Sequence, residues 1–130
     1  MPRNISFALT TEQFRTRTKT VTRRIGWWKD KNGKRLVEVG DILNGCVKCM
    51  GLKPGEKIER LGQIRVLSVY RESLRILRDY PIHGKREAIR EGFPDVTGYD
   101  FAMMFCEHMG GDITQEVTRI EFEYLDLDES

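Results

Sequence analysis

A chain of 130 residues with 39% apolar and 32% charged side chains is sized for one domain around a single core and is too charged for a bilayer protein. It has no apolar run of the roughly 18–20 residues a membrane helix needs, and no segment flanked like a secretion signal. The net charge of +2 hides an asymmetry: residues 1–35 carry ten Lys or Arg against Glu12 and Asp30, whereas residues 112–130 carry seven acids against Arg119. Three cysteines, an odd number, fit a reducing compartment rather than a disulfide framework, so the expected location is the cytoplasm of a bacterium or a phage-infected host cell.

In chain order, Ile5–Leu9 alternates as a strand does. Thr10, with Gln13 three residues on, predicts a capping box and a helix to about Arg17. The β-branched run from Thr20 to Ile25 reads as a strand, and Lys29–Lys34 as an exposed turn. Gly40-Asp41 predicts a turn in which Gly takes a positive φ and Asp accepts local hydrogen bonds; it leads into a strand over Ile42–Met50. Pro54-Gly55 marks a β-turn. Gln63–Tyr70 is a further strand with Ile64, Val66 and Ser68 on one face.

From Ser73 the period shifts towards 3.6, with a helical turn or two around Leu74 and Leu77 and a second helix over Lys85–Glu91. Thr97 and Asp100 predict the cap of a third helix running to about Met109, which Gly110-Gly111 ends. Val117–Leu125 alternates Ile120, Phe122 and Tyr124 with charged residues and reads as a half-buried strand; Asp126–Ser130 reads as a frayed end. The pattern predicts an α+β domain: a small, partly closed barrel of five to six strands with inserted helices, its core spanning about 5–125 and no linker dividing it.

The chemistry concentrates in Arg17-Thr18-Lys19-Thr20-Val21-Thr22-Arg23-Arg24. Cations interleaved with hydroxyls, and followed by Trp27-Trp28, suit phosphates and bases, so Arg17, Lys19, Thr20, Thr22, Arg23, Arg24 and Trp28 are the candidate nucleic-acid-binding residues. Tryptophans on adjacent positions of an extended segment face opposite ways, so one indole is expected inside and Trp28 is the candidate for stacking. The bland reading makes Thr20 and Thr22 ordinary strand threonines, Lys19 a solvated cation, and the charge asymmetry a balanced surface.

The Lys19-Thr20-x-Thr22-x-Arg24 pattern entering a strand, with Gly40-Asp41 some twenty residues later, resembles the ASCH family. So does the block Arg86-Glu87-Ala88-Ile89-Arg90-Glu91-Gly92-Phe93-Pro94 followed by Phe101. The resemblance covers about Ile5 to Leu125 and implies a PUA-like β-barrel that binds RNA or another nucleic acid. Some ASCH members are amidohydrolases that deacetylate N4-acetylcytidine; carried over, their lysine, threonine and glutamate fall on Lys19, Thr22 and Glu91. Other members are ribonuclease candidates. In the hydrolytic scheme an amine of lowered pKa takes the hydroxyl proton, and a carboxylate passes it to the leaving nitrogen. The chain departs from the small amidohydrolases in its insertion at Gly51–Lys57 and in the tandem Arg23-Arg24.

Binding in a basic cleft around Lys19–Arg24 ranks first, since the charge block is visible in the sequence; hydrolysis at the same cleft is the alternative, and a protein-interaction domain using the acidic tail comes third. One geometric obstacle stands against a joint site: positions 19 and 22 on a regular strand point to opposite faces. Cys46-Val47-Lys48-Cys49 with Cys106 and His108 has knuckle-like spacing, but lies in a predicted strand and on diverging helix faces, so no metal is expected. No cofactor is implied. His83 reads as a surface histidine, and Glu87 with Arg90 as a simple pair that leaves Glu91 to the cleft.

Overall fold

The computed structural model describes residues 2–49 and 52–125. The frayed end expected at Asp126–Ser130, and Met50 at the end of a predicted strand, lie outside the described residues. In chain order the elements are β1 (Arg3–Ser6), a 3-10 turn (Ala8–Thr10), α1 (Thr11–Arg15), β2 (Val21–Arg24), β3 (Ile42–Cys46), β4 (Arg60–Ser73), α2 (Ile76–Asp79), α3 (Pro81–Arg90), α4 (Gly98–Met109) and β5 (Glu116–Leu125). The five strands make one curled half-barrel in the order β1-β3-β4-β5-β2. β1 runs parallel to β3, and the other pairs are antiparallel. This is the expected α+β class.

Two apolar clusters hold it together. The first fills the concave sheet with Ile5, Phe7, Phe14, Leu43, Ile64 and Phe122 among others. The second lies under α2–α4, where Leu74, Leu77, Ala88, Phe101 and Phe105 meet Val117. β5 serves both, with Val117 in the helical cluster and Ile120 and Phe122 in the sheet cluster, as its period-2 pattern allows.

β4 is longer than the expected Gln63–Tyr70, and its inward face changes parity midway. The register with β5 shifts between Val66 and Ser68. Leu67 is the extra residue, 43% exposed, so after Ile64 and Val66 it is Val69, not Ser68, that packs on the core. A bulge of this kind re-aims every later side chain, and Ser68 donates to Glu121 instead. Opposite, Gly45 of β3 pairs with Gly62 of β4. A Cβ on Gly45 would come within 2.6 Å of the Phe14 ring, so Gly45 makes room for α1 on the sheet.

The helix expected from Thr10 to Arg17 is shorter and begins differently. A 3-10 turn precedes it, and Thr10 makes no capping hydrogen bond. Thr10 is buried instead, and Thr11 donates from its hydroxyl to the Phe7 carbonyl at 2.8 Å. The α4 cap is as expected: Thr97 Oγ1 accepts from the Asp100 amide at 3.0 Å, and the Asp100 carboxylate accepts from the Thr97 amide at 3.5 Å. The Gly40-Asp41 turn also forms, with φ +93 at Gly40 and the Asp41 carboxylate accepting from the Glu38 amide at 2.9 Å.

α3 and α4 touch backbone to backbone at Gly84 and Gly98. A Cβ on Gly84 would lie 2.1 Å from the Leu77 carbonyl oxygen, and one on Gly98 would lie 2.4 Å from the Gly84 Cα. Neither obstacle is a flexible side chain. Gly84→Ala should therefore lower stability by about 3 kcal/mol, the upper end for overpacking, despite alanine's better helix propensity. A lower urea midpoint with an unchanged m-value checks this, and an unchanged midpoint would contradict the close crossing.

Candidate functional site

The site is built where α1 hands over to β2. Arg17 takes a left-handed φ of 60, and the amides of Thr18 and Lys19 both donate to the Gln13 carbonyl, at 3.0 and 3.3 Å. The Thr20 amide donates to the Arg90 carbonyl at the end of α3 (2.7 Å), and its own carbonyl accepts from the Phe122 amide of β5 at 3.0 Å. The Tyr124 hydroxyl donates to the Lys19 carbonyl. Lys19 therefore sits in a pinned turn ahead of the regular strand, and strand parity does not apply to it. That removes the obstacle to Lys19 and Thr22 facing one cleft; both line the same cavity, with Glu91.

Lys19 is no solvated cation. Its side chain is 3% exposed and that of Glu91 2%; Nζ donates to Glu91 Oε1 at 2.6 Å and to the Glu91 carbonyl at 3.1 Å. Arg23 extends the network inward. Its Nη1 donates to Glu91 Oε2 at 2.8 Å, its Nε to Glu72 Oε1 at 2.8 Å, and its Nη2 to Glu87 Oε1. Glu87, fully buried, also accepts from Arg119 Nε at 2.6 Å and from Arg90 Nη1 at 2.7 Å. Four cations thus face three carboxylates, with their hydrogen bonds made. That is the condition under which buried charges are tolerated.

The electrostatics follow from this packing. Burial pushes the Lys19 ammonium below its ordinary pKa, and the Glu91 carboxylate offsets that only in part. For Arg23, burial acts downward as well, but Glu91, Glu72 and Glu87 together outweigh it and lift the guanidinium above its usual value. Burial alone would raise Glu87; Arg119, Arg23 and Arg90 overcome it and hold that carboxyl well below the ordinary range. Glu87 is thus ionised throughout the neutral range, fixing Arg23 and Arg119 in place.

Above this ionic floor opens a cavity of about 130 Å³. Its polar end presents Lys19, Thr22, Arg24 and Glu91, and its walls include Phe7, Phe93, Phe101 and Phe105, with His108 among the lining residues. An apolar cavity of about 150 Å³ holds one benzene-sized ring, so the space suits a single planar ring rather than an extended ligand. The Thr22 hydroxyl accepts from Arg24 Nε at 3.2 Å. Arg24 is fixed by its Nη2 donating to the Ser6 carbonyl at 2.6 Å and by its guanidinium 5.2 Å from the Phe7 ring centre.

The structure separates the residues expected to form one nucleic-acid surface. Lys19, Thr22 and Arg24 line the cavity with Glu91. Arg23 is a correction: its side chain is 0% exposed and wholly engaged by acids, so it is internal scaffolding and no contact for a phosphate. Thr20 is half-buried and held through its backbone. Arg17 is exposed, 5.4 Å from the Tyr124 ring centre. Neither indole is fully buried: Trp27 packs on the sheet core, and Trp28 carries the Arg35 guanidinium 3.6 Å from its ring centre.

Glu72, Glu87, Arg119 and Tyr124 were not singled out by the sequence as site residues. For Glu87 the signal was present, because it stands four residues before Glu91 on one helix face. The expected Glu87–Arg90 pair forms, but it is one of three cationic contacts to that carboxylate. Among the described residues no group of three His, Cys, Asp or Glu is placed to hold a metal ion, and no helix is long and apolar enough to cross a membrane.

No family model and no curated protein matches the chain. Solved structures do. A protein of Enterococcus faecalis V583, described by the family model DUF984, superposes with a TM-score of 0.61 at 15% identity, over 97% of this chain and 81% of that one. An ASCH domain from Lactobacillus crispatus JV V101 superposes with a TM-score of 0.55 at 13% identity, over 94% and 78% respectively. The fold is therefore ASCH-like, of the PUA-like barrel type. Identities this low speak for the fold alone.

Proposed function

We propose that the protein recognises a single nucleobase in this cleft, presented by a nucleoside or by RNA or another nucleic acid. The observation that carries the reading is the buried Lys19–Glu91 pair, 2.6 Å apart, at the end of a ring-sized cavity walled by phenylalanines. A nucleobase has the matching form: flat apolar faces for the Phe7, Phe93 and Phe101 walls, and a polar edge of donors and acceptors. Lys19 and Arg24 can donate to a ring carbonyl, Glu91 can accept from an exocyclic amine, and Thr22 can do either.

Isothermal titration with cytidine, uridine, adenosine and N4-acetylcytidine tests this. One of them should bind, and Phe101→Leu should weaken that binding about 5- to 160-fold, the effect of losing one base–aromatic stack of 1–3 kcal/mol. Absence of binding for all four at millimolar concentration would refute the reading.

A second reading concerns turnover and is favoured by one observation: a lysine driven down in pKa by burial lines the same cavity as a hydroxyl whose hydrogen bond is accepted, not donated. Thr22 would attack the acyl carbonyl of an N4-acylated cytosine, Lys19 in its deprotonated form would take the hydroxyl proton, Glu91 would pass it to the departing amine, and water would then hydrolyse the Thr22 ester to release the acid.

A further inference from the structure

The buried network accounts for only part of the basic N-terminal block. The rest of its charge lies outside the cleft, on a short hairpin that follows β2. Lys29 and Arg35 form an isolated antiparallel bridge. The Asp30 amide donates to the Lys34 carbonyl at 2.8 Å, the Gly33 amide to the Asp30 carbonyl at 3.0 Å, and the Leu36 amide to the Trp28 carbonyl at 3.1 Å. Asp30, the lone acid of the hairpin, turns its carboxylate inward: Oδ1 accepts from the Asn32 and Lys34 amides at 2.8 and 2.9 Å. At the base, Arg35 stacks on Trp28 and donates to the Val37 carbonyl at 3.3 Å.

The outcome is an ordered loop that holds Lys29, Lys31 and Lys34 exposed. Among the described residues these three ammoniums make no ion pair or side-chain hydrogen bond. The seven residues carry Lys29, Lys31, Lys34 and Arg35 against Asp30 alone, a concentration of positive charge that a polyanion complements. The hairpin also lies close to the cleft along the chain. Lys29 is five residues beyond Arg24, so their Cα atoms are at most about 18 Å apart, within the span of a few nucleotides.

We propose that the hairpin of residues 29–35 grips the phosphate backbone of a single-stranded nucleic acid whose base occupies the Lys19–Thr22–Glu91 cleft. The proposal rests on the cleft reading and narrows it: the ligand is polymeric, not a free nucleoside. Phosphate contacts of this kind position the strand without reading its sequence, leaving selectivity to the cavity.

The test compares wild type with Lys29→Gln/Lys31→Gln/Lys34→Gln by fluorescence anisotropy with a labelled 12-nucleotide RNA, alongside nucleoside titration of both proteins. Wild-type affinity should fall with salt, and the variant should lose about 2 from the log–log slope, because each single-strand phosphate contact contributes about 0.7. Between 50 and 200 mM salt those three contacts are worth about twentyfold in affinity. Nucleoside binding should be the same in both proteins, which shows that the variant is folded and the cleft intact. An equal slope in both proteins, no binding of the RNA by wild type, or equally salt-dependent binding to phosphatidylserine vesicles in place of the RNA would each overturn the hairpin proposal. The nucleoside arm decides the cleft reading separately. RNA binding lost in the variant with no nucleoside bound by either protein would overturn the link between hairpin and cleft.

Discussion

Glu87→Ala should cost the protein a large part of its stability. The substitution leaves Arg23 and Arg119, both now held by Glu87, as buried guanidiniums close to one another without their shared counterion. Breaking a buried pair by removing one partner costs about 3–5 kcal/mol, against a total of about 5–15 kcal/mol for a small domain. Glu87→Gln keeps the volume and part of the hydrogen bonding, so it should lie between alanine and wild type. The acid limb carries the same signature. Glu87 has a pKa well below the ordinary carboxylate range. The stabilisation it supplies is therefore complete above the unfolded-state value near 4.5 and drains away as the pH falls below it towards the folded-state value. Urea midpoints for wild type should drop between pH 4.5 and pH 2, and those for Glu87→Ala should drop less. Equal stability of Glu87→Ala and wild type at pH 7 would show that the network contributes nothing. Arg23→Glu belongs to the same class: it would place a fourth carboxylate among three and unfold the chain rather than simply remove a phosphate contact.

Lys19→Ala and Thr22→Ala should each abolish release of acetate from N4-acetylcytidine, lowering kcat/KM by at least about 10²-fold, the lower end for general base catalysis. The double variant should lose no more than the worse single one, because nucleophile and base act as a unit. Lys19→Arg should not restore activity; a guanidinium keeps the ion pair with Glu91 but stays protonated and cannot accept the hydroxyl proton. That variant also separates chemistry from packing, since it preserves the charge next to Glu91 that Lys19→Ala removes. Wild-type protein that binds N4-acetylcytidine and leaves it intact would end the hydrolytic reading while sparing nucleobase recognition.

The local elements were legible wherever one signal decided them. Thr97 and Asp100 announced the α4 cap, the alternation of Val117–Leu125 announced β5, and Gly40-Asp41 announced its turn. The misread stretches are those where tertiary contacts overrule local pattern. Thr10 has a capping residue's chemistry but is drawn into the interior, and the bulge at Leu67 turns Val69 inward where simple alternation selects Ser68. The candidate site shows the same division. Lys19, Thr22 and Glu91 came from a motif resemblance, whereas Glu72, Arg119 and Tyr124 reach the site from β4 and β5, through pairings that no local window contains. Arg23 was the most misleading residue. On paper it is one cation in a basic run, and only the acids delivered by α3 and β4 mark it as internal.

β2 occupies one edge of the sheet and, among the described residues, pairs with β5 alone, Arg24 opposite Thr118 and Val21 opposite Glu121. The segment that carries the cleft therefore leaves the ribosome roughly 95 residues ahead of its hydrogen-bonding partner. At about 5–20 residues per second, the nascent chain waits roughly 5–20 seconds with Val21 and its neighbours unpaired. A strand in that position invites association with other chains. The run Lys19-Thr20-Val21-Thr22-Arg23-Arg24, charged at both ends, opposes it by repulsion. Lys19 and Arg23, which end up paired with acids inside the finished domain, would thereby also keep the strand solitary until β5 emerges.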